Sequence, residues 1–149
     1  MSSGSATYEE LRRRYKPEST QVLFVGESRP NGGTFFFNGS SNLHRWTRKA
    51  FETACGRTYR DARAFLAAFR DAGFWLADLC PDPVDGLKGT PRRDACTAGE
   101  PALSRLLTEL QPHTVIGVKL DLKPHIQRAI TLAGGKSPVL HVLPFPLYQ

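Results

Sequence analysis

The sequence predicts a three-layer α/β/α domain built on a four-stranded parallel sheet, and three observations carry that expectation. Short apolar runs at residues 22–25, 74–79, 114–118 and 138–143 read as strands. The first, Val22-Leu23-Phe24-Val25, is continuous rather than alternating, the pattern of a strand buried on both faces. Amphipathic helical patterns separate these runs, and strands alternating with helices imply right-handed crossovers and a parallel sheet. The chain has 149 residues, 40% of them hydrophobic and 23% charged, which suits one domain, residues 1–149, with a substantial core.

Taken in order, residues 1–6 are rich in Ser and Gly and read as a disordered leader. Thr7 with Glu10 three residues on is a capping-box pattern and opens a short helix that ends before Pro17. Its Arg12, Arg13 and Arg14 read as a solvated face, with a DNA contact as the alternative. The first strand stops at Gly26 and gives way to a polar loop of Glu27, Ser28, Arg29, Pro30, Asn31, Gly32 and Gly33. Phe35, Phe36 and Phe37 follow; in an extended segment alternate side chains point opposite ways, so at least one should line a cleft rather than the core. A helix over 42–55 places Leu43, Trp46, Ala50 and Ala54 inward and leaves His44 on an exposed basic face. Residues 58–72 form a second helix with Phe65, Leu66 and Phe69 inward and Gly73 at its end. Strand 74–79 carries Asp78 near its carboxyl end. Residues 80–99 are rich in Pro, Gly and charge without periodicity, so they read as a long functional or disordered loop. Helix 100–110, strand 114–118, helix 120–132 and strand 138–143 complete the pattern.

In an open parallel sheet, ligands bind beyond the carboxyl ends of the strands. Four loops should meet there. They bring Glu27 with Asn31 and Phe36, Asp78 with Cys80, Lys119, and the loop Pro144-Phe145-Pro146. A carboxylate or amide facing an aromatic surface above a basic rim suits a flipped nucleobase, whose edge needs directional hydrogen bonds and whose ring needs stacking. Glu27 is the best placed to position a water or stabilise an oxocarbenium-like state in N-glycosidic hydrolysis. The net charge of +6, the pI near 9.5 and the predominance of Arg favour a polyanionic partner such as DNA. Arg92 and Arg93 in the long loop are candidate phosphate contacts.

Cys55, Cys80 and Cys96 have no C-x-x-C spacing and read as free thiols of a cytoplasmic protein, with Cys80 a buried thiol and neither a metal nor a cofactor expected. Residues 26–33 have neither the spacing of a dinucleotide fingerprint nor the Lys-Ser/Thr of a phosphate-binding loop. No apolar run approaches membrane-spanning length, and the N-terminus has no signal-peptide core. Trp46 and Trp75 read as core aromatics, and His113 and His125, in connection-like positions, receive no role.

The motifs resemble the uracil-DNA glycosylase superfamily over about residues 21–149. GESRP at 26–30 is similar to that family's G-E-x-P-G, with one extra residue before Pro30. FFNGSSNL at 36–43 is similar to F-V-G-x-A-G-x-L and puts Phe36 at the stacking position. FWLADLCPDP at 74–83 resembles the stretch in which an Asn reads the base edge; Asp78 or Leu76 stands there, depending on register. TVIGVKLDLKPHI is similar to the family's V-I-x-x-L-G-x strand and helix. VLPFPLYQ resembles H-P-S-P-L, with Leu143 at the His position, Phe145 replacing Ser, and His141 two residues upstream as a substitute.

The resemblance implies a uracil-DNA glycosylase-like fold and a monomeric enzyme excising a deaminated or damaged base such as uracil from DNA. Glu27, Asn31 and His141 would be catalytic, and Gly26, Ser28, Phe36 and Asp78 would bind the base. Arg29, Lys119, Arg92, Arg93, Pro144, Phe145 and Pro146 would contact DNA. The departures at the Asn and His positions also admit a member that binds nucleic acid or a nucleobase without cleaving it. An unrelated small-molecule hydrolase on the same scaffold is a third reading.

Overall fold

A computed structural model describes residues 7–145 of the chain. The expectation for residues 1–6 and the proposed DNA contact Pro146 fall outside the described residues. Four parallel strands, β1 (Val22–Gly26), β2 (Phe74–Asp78), β3 (Thr114–Gly117) and β4 (Val139–Val142), form one sheet in the order β2-β1-β3-β4. Helix α1 (Tyr8–Arg14) precedes β1; α2 (Asn42–Cys55) and α3 (Ala62–Asp71) lead to β2. Helix α4 (Gly89–Leu110) leads to β3, and α5 (Lys123–Ala133) to β4. This is the predicted three-layer α/β/α arrangement. The chain moves one way from β1 to β2 and the other way to β3 and β4, so successive right-handed crossovers put α2 and α3 on one face and the packed pair α4 and α5 on the other.

The register explains the core. Leu23, Val25, Val115 and Gly117 point toward α4 and α5, and a Cβ on Gly117 would meet Ile126 of α5 at 2.8 Å. On the opposite face Phe24 and Phe74 pack edge-on against Phe69 or Phe51 of the helices above. Helix α1 begins with the predicted capping box of Thr7 and Glu10.

Three expectations change. The supposed loop 80–99 is half helix: α4 starts at Gly89 and runs through Pro101. Its inward residues, Cys96, Gly99, Glu100, Leu103 and Leu107, follow helical spacing, but Pro, Gly and charge in the first half obscure it. Phe35, Phe36 and Phe37 are all buried, because the chain coils into a 3-10 turn at Phe36–Asn38 instead of staying extended; strand alternation therefore no longer applies, although Phe35 and Phe36 do line a cavity as expected. In α2 the inward positions are His44 and Thr47, with Ala50 and Ala54 exposed. His44 is 1% exposed, its Nδ1 lies 2.9 Å from the Phe36 carbonyl, and its ring packs on Phe65; burial holds it in the neutral form by pushing its pKa down.

Candidate functional site

The direction of the chain reverses between β1 and β3, and in open α/β sheets the crevice at such a switch point accepts ligands. Glu27 leaves the end of β1 and Lys119 the end of β3, so the two sit side by side there. Lys119 Nζ lies 3.1 Å from Glu27 Oε1, and Arg92, one turn into α4, donates from Nε to Oε2 at 3.0 Å and from Nη2 to Oε1. Burial would raise the Glu27 pKa, but the hydrogen bonds and charges of Arg92 and Lys119 together outweigh it and hold the carboxyl below its usual range. The cluster is therefore an ionised carboxylate between two cations, with one positive charge in excess.

This cluster separates two cavities. The first, about 490 Å³, lies on the α2 side and brings together Glu27, Phe36, Asp78, Arg45 and Phe145. Gly26, Ser28, Arg92 and Lys119 also line it. The sequence thus foresaw the meeting of Glu27 and Phe36 with the last loop. Phe36 is only 3% exposed, so it offers part of its surface to the cavity from within the core, whereas Phe145 is half-buried on the opposite lip.

Asp78 sits beside Gly26 in the strand register, where a Cβ on Gly26 would come within 2.7 Å of its Oδ1. Its Oδ2 accepts from Arg12 Nη2 at 3.2 Å. Burial pushes the Asp78 pKa up to about 6, the nearby Arg12 charge opposing that only in part. Arg12 therefore turns inward behind Asp78 and does not form a solvated face. Its guanidinium lies over Phe35, and its carbonyl accepts from Trp75 Nε1. A run of three arginines at the end of a short helix gave no sign of which one would turn inward.

Other candidates lie elsewhere. His141 is exposed on the edge strand β4, in register with Ile116, and lines neither cavity; α2 and α3 cover β2 and β1, leaving that face of β4 open. Asn31 is exposed and contributes its backbone N–H to Asp85, because the loop turns outward at Gly32 and Gly33, both at positive φ. Arg29 lies over the Tyr8 ring with its guanidinium carbon 4.5 Å from the centroid, outside the cavity lining. Pro144 is exposed and also outside it. Arg93 lines the second cavity, with Arg92 and Lys119 shared between the two.

The second cavity, about 700 Å³, lies on the α4 and α5 side and was not foreseen. His125, buried at 6% exposure, lines it. Its Nδ1 lies 2.6 Å from Glu100 Oε2, and Arg128 donates to both Glu100 oxygens from Nε. Arg128 and His125 hold Glu100 ionised, with its pKa lowered chiefly by the Arg128 hydrogen bond. Cys80 and Cys96 lie nearby, Sγ to Sγ 3.7 Å; burial pushes the Cys96 thiol up to about 12, so neither is an activated nucleophile. Among the described residues, no cluster of His, Cys, Asp and Glu is arranged to hold a metal ion, and no helix is long and apolar enough to cross a membrane.

Compared with known proteins, the sequence matches no protein-family model, and no curated protein matches it.

Proposed function

We propose that this chain is a nucleobase-recognising protein of the uracil-DNA glycosylase type that hydrolyses the N-glycosidic bond of a deaminated or damaged base in DNA. One observation carries the reading: Glu27, Phe36 and Phe145 line a single open cavity at the switch point of a parallel sheet. A flipped base entering it would meet aromatic surface on its ring and the Asp78 carboxyl on its edge. Glu27, kept ionised, would orient a water toward the anomeric carbon and stabilise the oxocarbenium-like sugar. The water oxygen bonds to that carbon while the glycosidic electron pair leaves with the base. Arg92 and Lys119 would stabilise the negative charge arriving on the departing base. In this reading the partner is DNA, and the protein works as a cytoplasmic monomer, which size-exclusion chromatography of the free protein checks.

A second reading rests on the saturation of Glu27: both of its oxygens already accept from cations, which weakens it as a base. Such a site would bind a base or nucleic acid without cleaving it. Labelled oligonucleotides bearing uracil, hypoxanthine, xanthine or a mismatch, treated with alkali after incubation, decide between the two. Strand scission lost in Glu27→Gln supports the enzyme; salt-sensitive gel shifts without scission support the binder. If no oligonucleotide is cut or shifted, the nucleic-acid reading is wrong.

A further inference from the structure

The second cavity has features of a binding site in its own right. Its charged lining is mostly basic: Arg92, Arg93, Lys119 and Arg128, with His125 between α4 and α5, against the two carboxylates of Glu27 and Asp121. Arg93 is exposed and, among the described residues, its side chain bonds only to Thr90 within its own helix turn, so its charge faces solvent. The uncapped start of α4 at Gly89 lies on the same wall, with no acidic residue in its first turn. His125 makes the strongest case. Its Nδ1 is committed to Glu100, which fixes the ring, while among the described residues no hydrogen bond reaches its Nε2, on a ring that lines the cavity. A carboxylate that takes one imidazole nitrogen leaves the other as the ring's polar group at the cavity, and on the neutral ring that nitrogen accepts, which suits a phosphate oxygen that carries a hydrogen.

Arg92 and Lys119 border this cavity and also hold Glu27 at the edge of the base cavity. A phosphate group on the α4 and α5 side would compete with Glu27 for both cations. Phosphate fits, because it presents several oxygens to the guanidinium forks of Arg92 and Arg93 and to the ammonium of Lys119.

We propose that the cavity between α4 and α5 is a phosphate subsite, and that a phosphate group bound there draws Arg92 and Lys119 off Glu27 and frees its carboxylate to act in the neighbouring base cavity. A nucleotide unit would then place its base against Phe145 and its phosphate beside His125. The phosphate site itself does not depend on the nucleobase reading; its coupling to base chemistry rests on it. The saturation of Glu27 in the unliganded protein is, on this view, a resting state that substrate relieves.

The test titrates the full chain with inorganic phosphate, followed by ³¹P NMR, and separately with free uracil and hypoxanthine. Two variants address the new cavity. Arg93→Ala removes an exposed cation, and His125→Asn keeps a donor near Glu100 while removing Nε2. Each should weaken phosphate binding roughly tenfold, the scale of one charge-assisted hydrogen bond, and leave nucleobase binding unchanged. His125→Gln, which keeps an amide with an acceptor oxygen near the Nε2 position, should recover part of the loss. Phe145→Ala should do the reverse, weakening nucleobase binding alone. Saturating phosphate should also move the Glu27 carboxyl ¹³C titration to higher pH. Phosphate that fails to bind, binds equally well to Arg93→Ala and His125→Asn, or leaves the Glu27 titration unmoved overturns the proposal. Phosphate binding with no nucleobase binding instead sinks the base reading and leaves the subsite standing.

Discussion

Replacing Gly99 with Ala isolates the contact that sets α4, and with it Arg92, against the sheet. Gly99 is helical and buried, so its φ does not demand glycine, and by helix propensity alone Ala would stabilise by about 1 kcal/mol. Packing argues the other way. An added Cβ would stand 2.0 Å from the Leu79 carbonyl oxygen and 2.9 Å from its carbon, where ordinary contact begins near 3.4 Å. The Leu79 backbone cannot easily retreat: its N–H bonds Gly26 O at 2.8 Å, and the next N–H, of Cys80, bonds Glu27 O at 2.8 Å. Helix α4 must therefore move by more than 1 Å, and overpacking of that kind costs roughly 1–3 kcal/mol, occasionally more. Against the propensity gain, a net loss of up to about 2 kcal/mol is expected. With a urea slope of about 2 kcal/mol/M, the unfolding midpoint should fall by as much as about 1 M. The displacement should also loosen the pairing of Arg92 with Glu27. A Gly99→Ala variant more stable than the parent by about 1 kcal/mol would refute the packing argument and reduce Gly99 to an ordinary helix glycine.

Three further outcomes are expected. Because the folded Asp78 pKa is raised to about 6, the folded state binds its proton more tightly than the unfolded chain, so this group's contribution is greatest below about pH 4 and fades as pH rises through 6. The stability difference between the parent and Asp78→Asn should change across that window and be flat above it, and Arg12→Ala, which removes the opposing charge, should shift the window upward; a pH-independent difference contradicts burial as the cause. Phe36→Ala should cost roughly 3–5 kcal/mol in denaturant unfolding, as a buried ring lost from the core, whereas Phe145→Ala, at the cavity lip, should cost much less; equal costs would place Phe145 in the core too. If DNA is the partner, Arg93→Ala should lower the slope of log affinity against log salt by about 1 and weaken all sequences alike. An unchanged slope in gel-shift titrations removes Arg93 from the phosphate contacts.

The fold and half of the site follow from local patterns. A continuous apolar run ending in Gly26 and Glu27 had to be an interior parallel strand, because its side chains leave no polar face for solvent. That placed Glu27 at the strand's carboxyl end, where Phe36 and Phe145 also arrive. Local pattern failed wherever a residue's partner lay on a distant element. The inward turn of Arg12 depends on Asp78, 66 residues away, and His125 gains its setting from Glu100 on the neighbouring helix. His44 is buried because a 3-10 turn offers it the Phe36 carbonyl, and His141 is exposed because β4 is the sheet edge. Periodicity encodes which face of an element is apolar, so the sequence by itself determined the layers. Charge pairing and strand order depend on how those layers meet, and only the tertiary structure decided that Glu27 would stand between two cations and two cavities.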